Sequence, residues 1–329
     1  MDTIGTGLQR PECVLATADG HVFCSGGDRG VVRIRPDGSQ TPLASPAASA
    51  DGTPVLANGI ALRDDGSFLV ANIADGGGLW ELDADGLRPF HDCAPAGSPP
   101  PPVNFVTIDA AGTVWITVSS TWAPRSRAYR PDVANGYVAT LRHGRFEVVA
   151  DGFAYTNECL PDLEGGWLYV AETMGRRVSR IRLDERGLHG PREGFAVMPR
   201  GAFVDGLAMD AEGGLICVCI VAGEILRFAP DGSMETWLSA RHDPGMAEWI
   251  DTVETAFHAG AMDRPHLDTS PAVTVRNPSS VCFAGAGLDR LVVGNILTDR
   301  LPVLAAPVPG RSPRHWHVHV PEGGTRPAR

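Results

Sequence analysis

A short phrase is repeated five times along the chain and constrains the fold more than any other feature. The copies are ATADGHVFCSG, LRDDGSFLVAN, IDAAGTVWITV, PDLEGGWLYVA and MDAEGGLICVC, each an apolar strand, a turn and a second apolar strand. The turn glycines are Gly20, Gly66, Gly112, Gly165 and Gly213. Glycine readily adopts the positive φ that a tight hairpin turn needs, so each copy predicts a β-hairpin.

A third strand and a second turn follow most copies, as in VVRIRPDGS, GLWELDADG and EILRFAPDG. A sixth copy with a weaker turn is NPSSVCFAGAGLDRLVVGNI. Repeats of roughly 40–50 residues are typical of four-stranded propeller blades. The sequence therefore predicts an all-β fold, one six-bladed β-propeller over residues 1–329, closed by pairing of the N-terminal segment with the last blade. A β-sandwich or a two-domain β protein is the alternative.

Composition narrows the class of partner. The formal net charge of -11 is opposite to the basic surface of a nucleic-acid binder. We find no signal-peptide pattern and no apolar run of ~18 residues, so we expect a cytoplasmic protein without a membrane partner. The seven cysteines contain no C-x-x-C pair, which favours reduced core thiols over a disulfide framework. No feature of the sequence predicts the oligomeric state.

An oxygen-bearing side chain stands at the start of the first strand in every unit. These residues are Glu12, Asn58, Asn104, Asn157, Asp205 and Asn277, at intervals of 46, 46, 53, 48 and 72. The first strands of propeller blades line the channel and run the same way, so their starts converge on one mouth. Such a set suits a hard divalent cation. Alternatively, each residue hydrogen-bonds the loop before its own strand, and Asn58 and Asn277 fit this reading best.

Several segments resemble the senescence-marker protein (regucalcin)/gluconolactonase family. They are RPECVLATADG, VNFVTIDAAGTVWIT, TNECLPDLEGGWLYVAET, VDGLAMDAEGGL and NPSSVCFAG, and the resemblance covers essentially the whole chain. It implies a six-bladed propeller that holds one divalent cation and hydrolyses lactones. The implied metal ligands are Glu12, Asn157 and Asp205, with Asp205 also the base or nucleophile and Asn104 beside the metal. Ca²⁺ is the expected cation, with Zn²⁺, Mn²⁺ or Mg²⁺ as alternatives.

The chain departs from the family pattern at three places. Phe105 stands where an acidic residue is common, PPPPV replaces a preceding arginine, and Glu158 replaces the usual glycine after Asn157. The resemblance therefore supports metal binding more than specificity for a sugar lactone. Phe105 and the proline-rich segment favour a less polar substrate.

Lactone hydrolysis needs a polarised carbonyl, a water nucleophile and stabilisation of the oxyanion. A divalent cation can polarise the carbonyl and stabilise the oxyanion, while Asp205 accepts the proton of the water. Glu158 is an alternative base, but neighbouring residues on a strand face opposite sides, which favours Glu158 pointing away from the channel. No G-x-S-x-G, H-E-x-x-H or phosphate-loop motif is present. His315 and His317 are interpreted as tail or last-strand residues.

Three irregular segments are predicted to form a lid over the metal. They are HDCAPAGSPPPPV, STWAPRSRAYRPDVANG and an insertion from about 240 to 276 with apolar residues at helical spacing. Trp249, Phe257 and Met262 are predicted to pack the helix onto the propeller. The candidate substrate contacts are Asn104, Phe105, Trp122, Arg125 and Glu158, although a solvated basic loop also explains the arginines. The alternative function is a non-hydrolytic, metal-stabilised propeller, either a binding protein or a strictosidine-synthase-like enzyme.

Overall fold

The computed structural model describes residues 1–27, 30–44, 52, 54–95 and 97–321. After an initial strand β1 (Asp2–Ile4), blade one contains β2 (Val14–Ala16), β3 (Val22–Ser25), β4 (Val31–Ile34) and β5 (Gln40–Pro42). Blade two contains β6 (Ala57–Leu62), β7 (Phe68–Asn72), β8 (Leu79–Asp83) and β9 (Gly86–His91). Blade three contains β10 (Phe105–Ile108), β11 (Val114–Val118), β12 (Gly136–Arg142) and β13 (Arg145–Phe153).

The second half of the chain repeats this arrangement. Blade four contains β14 (Thr156–Asp162), β15 (Trp167–Glu172), β16 (Arg177–Asp184) and β17 (Gly187–Val197). Blade five contains β18 (Ala202–Met209), β19 (Leu215–Val221), β20 (Glu224–Phe228) and β21 (Met234–Ser239). Blade six contains β22 (Pro278–Ala284), β23 (Arg290–Asn295) and β24 (Leu301–Ala305). Each blade is a four-stranded antiparallel sheet, which confirms the predicted six-bladed propeller.

The N-terminal strand completes the last blade. β1 pairs antiparallel with β24, with Asp2 opposite Val303 and Ile4 opposite Leu301. The predicted closure is therefore confirmed. It joins the first residues of the propeller to its last strand, so the ring of blades is held by backbone hydrogen bonds.

The helical segments lie in the connections on the channel-mouth face. A 3-10 turn, Arg125–Ala128, lies between β11 and β12, and α1 (Met246–His258) and α2 (Pro265–Asp268) lie between β21 and β22. In the part of the chain that is described, none of the helices has the length and apolar character needed to cross a bilayer.

Four of the five predicted turn glycines have the expected conformation. Gly20, Gly66, Gly112 and Gly213 have φ between 80° and 83°. In blade four the prediction is wrong by one residue, because the positive φ of 72° belongs to Gly166. A Cβ on Gly165 would lie 2.1 Å from Oδ2 of Asp162, so a close contact accounts for that glycine.

A β-bulge recurs where the polar residues begin the inner strands. In β14, Thr156 is opposite Glu172 and Cys159 is opposite Val170, so three steps along β14 match two along β15. The same irregularity occurs between Ala57 and Ile60 of β6 and between Val204 and Leu207 of β18. A bulge of this kind re-aims side chains and breaks simple alternation.

Candidate metal and substrate site

Glu12 lies at the start of blade one with an arginine beside it. Nη2 of Arg10 is 2.6 Å from Oε2 of Glu12, and Nη1 of Arg10 donates to Oδ1 of Asn58 at 2.8 Å. This contact pairs Oε2 of Glu12 with the guanidinium, while no described residue donates a hydrogen bond to Oε1. Arg10 was missed from the sequence, although its position two residues before Glu12 was a usable signal.

Three of the six polar residues have their side-chain oxygens satisfied by the protein. Oδ1 of Asn58 accepts from Arg10, and Oδ1 of Asn104 accepts from Nδ2 of Asn58 at 3.1 Å. Oδ1 of Asn277 accepts from the backbone N of Val221 at 3.3 Å, and its Nδ2 donates to the carbonyl of Leu267. These three residues therefore connect strands and loops. Asn277 bonds the loop before its own strand, as the alternative interpretation held, whereas Asn58 bonds Arg10 before blade one and Asn104 before blade three.

The other three residues are the predicted metal ligands, and their oxygens are less satisfied. Nδ2 of Asn157 donates to Oγ1 of Thr173 at 3.2 Å, and no described residue donates to its Oδ1. Within the described ranges, no hydrogen bond reaches the carboxylate of Asp205, which is only 6% exposed. Together with Oε1 of Glu12, each predicted ligand thus presents at least one oxygen to which no described residue donates.

The buried carboxylates at the mouth repel one another. Burial raises the pKa of Asp205 well above its usual range, and the charges of Glu12 and Glu158 raise it further. Arg10 and Arg125 oppose this rise with their positive charges. Because the pKa of Asp205 stays raised, the two guanidinium groups compensate the acidic groups of the mouth only in part.

Glu158 corrects the orientation favoured from strand alternation. Its side chain is buried, and Oε2 accepts a hydrogen bond from the backbone N of Leu207 in β18 at 2.8 Å. The bulge in β14 is the physical reason, because it removes the strict alternation between Asn157 and Glu158. Burial raises the pKa of Glu158 to about 8. The residue faces the channel and the next blade.

A cavity of about 410 Å³ occupies the central channel. Phe105 and Glu158 contribute to its wall, together with inner-strand residues such as Cys13 and Leu207. The C-terminal segment Arg311–His315 lines it at the end away from the mouth, where Nη1 of Arg311 is 2.7 Å from Oδ1 of Asp162. Phe105, a predicted substrate contact, is therefore a channel residue.

The donor set fits a hard divalent cation. Two carboxylates and one amide each present an oxygen without a hydrogen-bond donor among the described residues, and both carboxylates are buried, Glu12 beside Arg10 and Asp205 without an ion-pair partner. Such ligands suit Ca²⁺ and similar ions. Within the described ranges, no group of three or more His, Cys, Asp and Glu side chains has metal-binding geometry, and the predicted set has only two such residues. All seven cysteines are free thiols, so none is committed to a disulfide.

Two of the three predicted lid segments pack together above blades four and five. Their shared apolar cluster contains Ala128, Tyr129, Val133, Tyr155, Met174, Phe203, Ile220, Val221, Val253, Phe257, Met262 and Leu267. The rings of Phe257 and Phe203 are 5.2 Å apart and perpendicular. The carboxylate of Glu254 accepts from the backbone N of Gly201 at 2.5 Å and from Arg176, which fixes α1 to the propeller. Trp249 is partly buried against the same cluster.

The first predicted lid segment packs elsewhere. Cys93 and Val103 are buried with residues of blades two and three, and the hydroxyl of Tyr137 donates to the carbonyl of Cys93 at 3.2 Å. This segment therefore belongs to the wall between those blades, away from the cluster under α1.

The remaining predicted substrate contacts lie at different depths. Arg125 is half-buried in the 3-10 turn, and its positive charge lowers the pKa of both Arg10 and Asp205. Trp122 is 39% exposed, and its ring lies 5.2 Å from the guanidinium of Arg127. The positive charge of Arg264, a residue that the sequence did not indicate, also lowers the pKa of Arg10. Arginines from two segments of the lid therefore act electrostatically on residues of the mouth.

Comparison with known proteins identifies the family of this chain. The profile of the SMP-30/Gluconolactonase/LRE-like region matches residues 31–240. A 6-deoxy-6-sulfogluconolactonase from Pseudomonas putida is 29% identical over 178 residues, a match that covers 53% of this chain and 57% of the relative. The chain thus spans little more than half the length of that curated relative.

Solved structures share the fold at low identity. A gluconolactonase from Xanthomonas campestris superposes with a TM-score of 0.67 at 19% identity, covering 93% of this chain and 88% of that one. Regucalcin from Agrobacterium tumefaciens, a calcium-binding protein, gives a TM-score of 0.64 at 18% identity, covering 94% and 95% of the two chains. At these identities the likeness concerns the fold alone. Because the family profile spans well over half of the sequence, the chain belongs to the SMP-30/gluconolactonase/LRE-like family.

Proposed function

We propose that this protein is a metal-dependent hydrolase that opens a lactone at the mouth of the propeller channel. One observation carries the proposal: the side chains of Glu12, Asn157 and Asp205 present oxygens without donors, while the other three members of the ring are satisfied. If all six residues had only structural roles, the same three that the family uses as metal ligands would have no reason to keep oxygens without donors. Family membership and the name of the P. putida relative support a lactone as the substrate class.

In this proposal Glu12, Asn157 and Asp205 hold the divalent cation, with Ca²⁺ the expected ion. When bound, the cation polarises the ester carbonyl and compensates the negative charge that develops on its oxygen. Asp205 accepts a proton from the attacking water as the water oxygen bonds to the acyl carbon. The bond between the acyl carbon and the ring oxygen then breaks, the proton passes to that oxygen, and a hydroxy acid leaves.

Neighbouring residues position these groups. Nδ2 of Asn104 donates to Oγ of Ser119 at 2.6 Å, which fixes the amide beside the mouth, where it orients the substrate. Arg10 holds Glu12 in place before the cation binds. The cluster beneath α1 covers one side of the mouth and limits access of bulk water.

The test is proton release from a panel of lactones by metal-stripped protein, with each cation added back. We expect Ca²⁺ to restore hydrolysis, and Asp205→Asn or Glu12→Gln to lower kcat by about 100-fold or more. Glu193→Gln, an exposed carboxylate on β17 of blade four, is the control and should retain activity. Cation binding without turnover of any lactone would overturn the hydrolase and support the non-hydrolytic alternative.

A further inference from the structure

Among the described residues, Arg10, Arg125 and Arg264 act electrostatically on residues of the mouth. They differ in whether an acidic residue forms an ion pair with them. Arg10 is paired with Glu12, and Nε of Arg264 is 2.6 Å from Oδ2 of Asp268. Arg125 has no hydrogen bond or ion pair with any described residue. A half-buried guanidinium without a partner inside a lid is unusual, because burying a charge is costly unless it is paired.

The position of Arg125 is fixed by the residues that follow it. Ala128 and Tyr129 are buried in the cluster beneath α1, and the ring of Tyr129 is 5.2 Å from the ring of Tyr155. Tyr155 directly precedes β14, two residues before Asn157, so the 3-10 turn is connected through Tyr129 to the segment that leads into the strand of a predicted ligand. The positive charge of Arg125 lowers the pKa of Arg10, Tyr155 and Asp205, which agrees with a position near the mouth.

Arg127 provides an internal comparison on the same 3-10 turn. Its side chain is exposed, and its guanidinium lies over the ring of Trp122 at 5.2 Å. Arg125 is half-buried, and its guanidinium lies over no ring among the described residues. Two arginines separated by one residue therefore have different environments, and only Arg125 is associated with the mouth.

Charge balance in the proposed working state extends the argument. A divalent cation held by Glu12 and Asp205 would compensate both carboxylates, and Asp268 is already paired with Arg264. Arg10 and Arg125 would then face the mouth with Glu158 as the remaining buried acid, and Glu158 is bonded to the backbone N of Leu207. Two guanidinium groups against one carboxyl group leave positive charge that an anionic group of the ligand can balance.

We propose that the substrate is an anionic lactone whose acidic group binds Arg125 and Arg10 while its ester lies over Asp205. The inference rests on the proposed lactonase function and names its substrate class. A carboxylate, a sulfonate or a phosphate ester offers the oxygen pairs that a guanidinium binds in a bidentate manner. It differs from the less polar substrate expected from Phe105 and the proline-rich segment. Phe105 lies in the channel wall, and Cys93 and Val103, which flank the prolines, pack with blades two and three.

The experiment compares glucono-1,5-lactone with the same ring carrying a carboxylate, a sulfonate or a phosphate at C6. We expect the wild type to favour at least one charged lactone, and Arg125→Gln to reduce that preference in kcat/KM by about ten-fold, mainly through KM. Arg125→Lys should recover part of the preference, because it keeps the positive charge. The kcat/KM values for the carboxylate, sulfonate and phosphate lactones show which acidic group the site prefers. Arg127→Gln is the matched control and should leave the preference unchanged.

Binding of the open-chain acids separates this inference from the lactonase proposal. Calorimetry with Ca²⁺-bound protein would compare gluconate with 6-phosphogluconate and with glucarate. For each of the two acids that carry a second anionic group, we expect Arg125→Gln to lower the ratio of its affinity to that of gluconate by about ten-fold. If no lactone is hydrolysed but this ratio falls, the hydrolase fails and the anion site stands. An equal preference for neutral and charged ligands in wild type, or an unchanged ratio in Arg125→Gln, would overturn the inference.

Discussion

Nη2 of Arg10 lies 2.6 Å from Oε2 of Glu12, so a predicted cation ligand is already paired with a positive charge of the protein. Burial lowers the pKa of Arg10, and Arg264 and Arg125 lower it further against the attraction of Glu12. The guanidinium of Arg10 is therefore a counter-ion for Glu12. Burial and the two neighbouring arginines disfavour its positive charge. A divalent cation that binds Glu12 has to exchange with it.

Arg10→Gln should strengthen cation binding, because it removes this competitor while the carboxylates stay in place. We expect the Kd for Ca²⁺ to fall by up to about ten-fold, measured by calorimetric titration of metal-stripped protein. The Tm of the metal-free variant should fall, since Glu12 and Asp205 lose their compensating charge. Arg127→Gln removes the same charge at an exposed position and should change neither quantity. Unchanged or weaker Ca²⁺ binding in Arg10→Gln would refute the exchange.

Glu158 should contribute to stability through its bond to the next blade. Glu158→Ala leaves the buried N–H of Leu207 without an acceptor, so we expect the free energy of unfolding to fall by about 1–3 kcal/mol. Glu158→Gln keeps an acceptor at the same place and should lose less. Urea unfolding of both variants measures the difference. Equal losses would mean that the hydrogen bond is not the source of the effect.

Gly206 should be intolerant of a side chain, because the next blade approaches its backbone closely. A Cβ there would lie 2.5 Å from the carbonyl O of Ser279 and 2.6 Å from Cα of Ser280. We expect Gly206→Ala to lower the free energy of unfolding by about 1–3 kcal/mol. It should also weaken Ca²⁺ binding, since Asp205 is the preceding residue.

The control for this prediction is Gly194→Ala on β17. No atom lies within 4 Å of a Cβ placed there, so the variant should be neutral or stabilising by up to about 1 kcal/mol. Chemical unfolding and Ca²⁺ titration of the two variants provide the comparison. Similar behaviour of the two alanines would show that the close approach does not limit this position.

His315 should make stability depend on pH. It lines the base of the channel cavity, where burial and the charge of Arg314 lower its pKa to about 4, and Nε2 has no hydrogen-bond partner among the described residues. The charged groups Asp109, Glu158, Asp162, Glu164 and Arg311 also line this cavity. The unfolded chain binds the proton with an ordinary pKa of about 6.5. Stability from the neutral imidazole is therefore full above pH of about 6.5 and is lost as pH falls towards 4.

The comparison is between wild type and His315→Gln, unfolded with urea from pH 7.5 to pH 4.5. Because His315 is only partly buried, we expect the wild type to lose about 1–3 kcal/mol more than the variant over this range. The difference between the two proteins isolates His315 from the other titrating groups. Parallel losses would show that the folded protein accepts the proton without penalty.

The sequence by itself determined the blade count, the hairpins and the closing strand. These features depend on local chemistry, since glycine permits the turn conformation and alternating apolar residues form half-buried strands. The equivalent positions of Glu12, Asn157 and Asp205 followed from the same repeat, because a regular fold places equivalent residues at one end of the channel. The family was also visible in these segments.

Only the tertiary structure decided how the residues of the mouth are used. Strand alternation directed Glu158 outwards, but the bulge in β14 and the amide of Leu207 on the next blade turn it into the channel. The pairing of Arg10 with Glu12 and the distinction between Arg125 and Arg127 depend on burial beneath the lid. Phe105 was assigned to the substrate and lies in the channel wall. Each of these outcomes depends on contacts between segments distant in the chain, which the local pattern of a sequence does not encode.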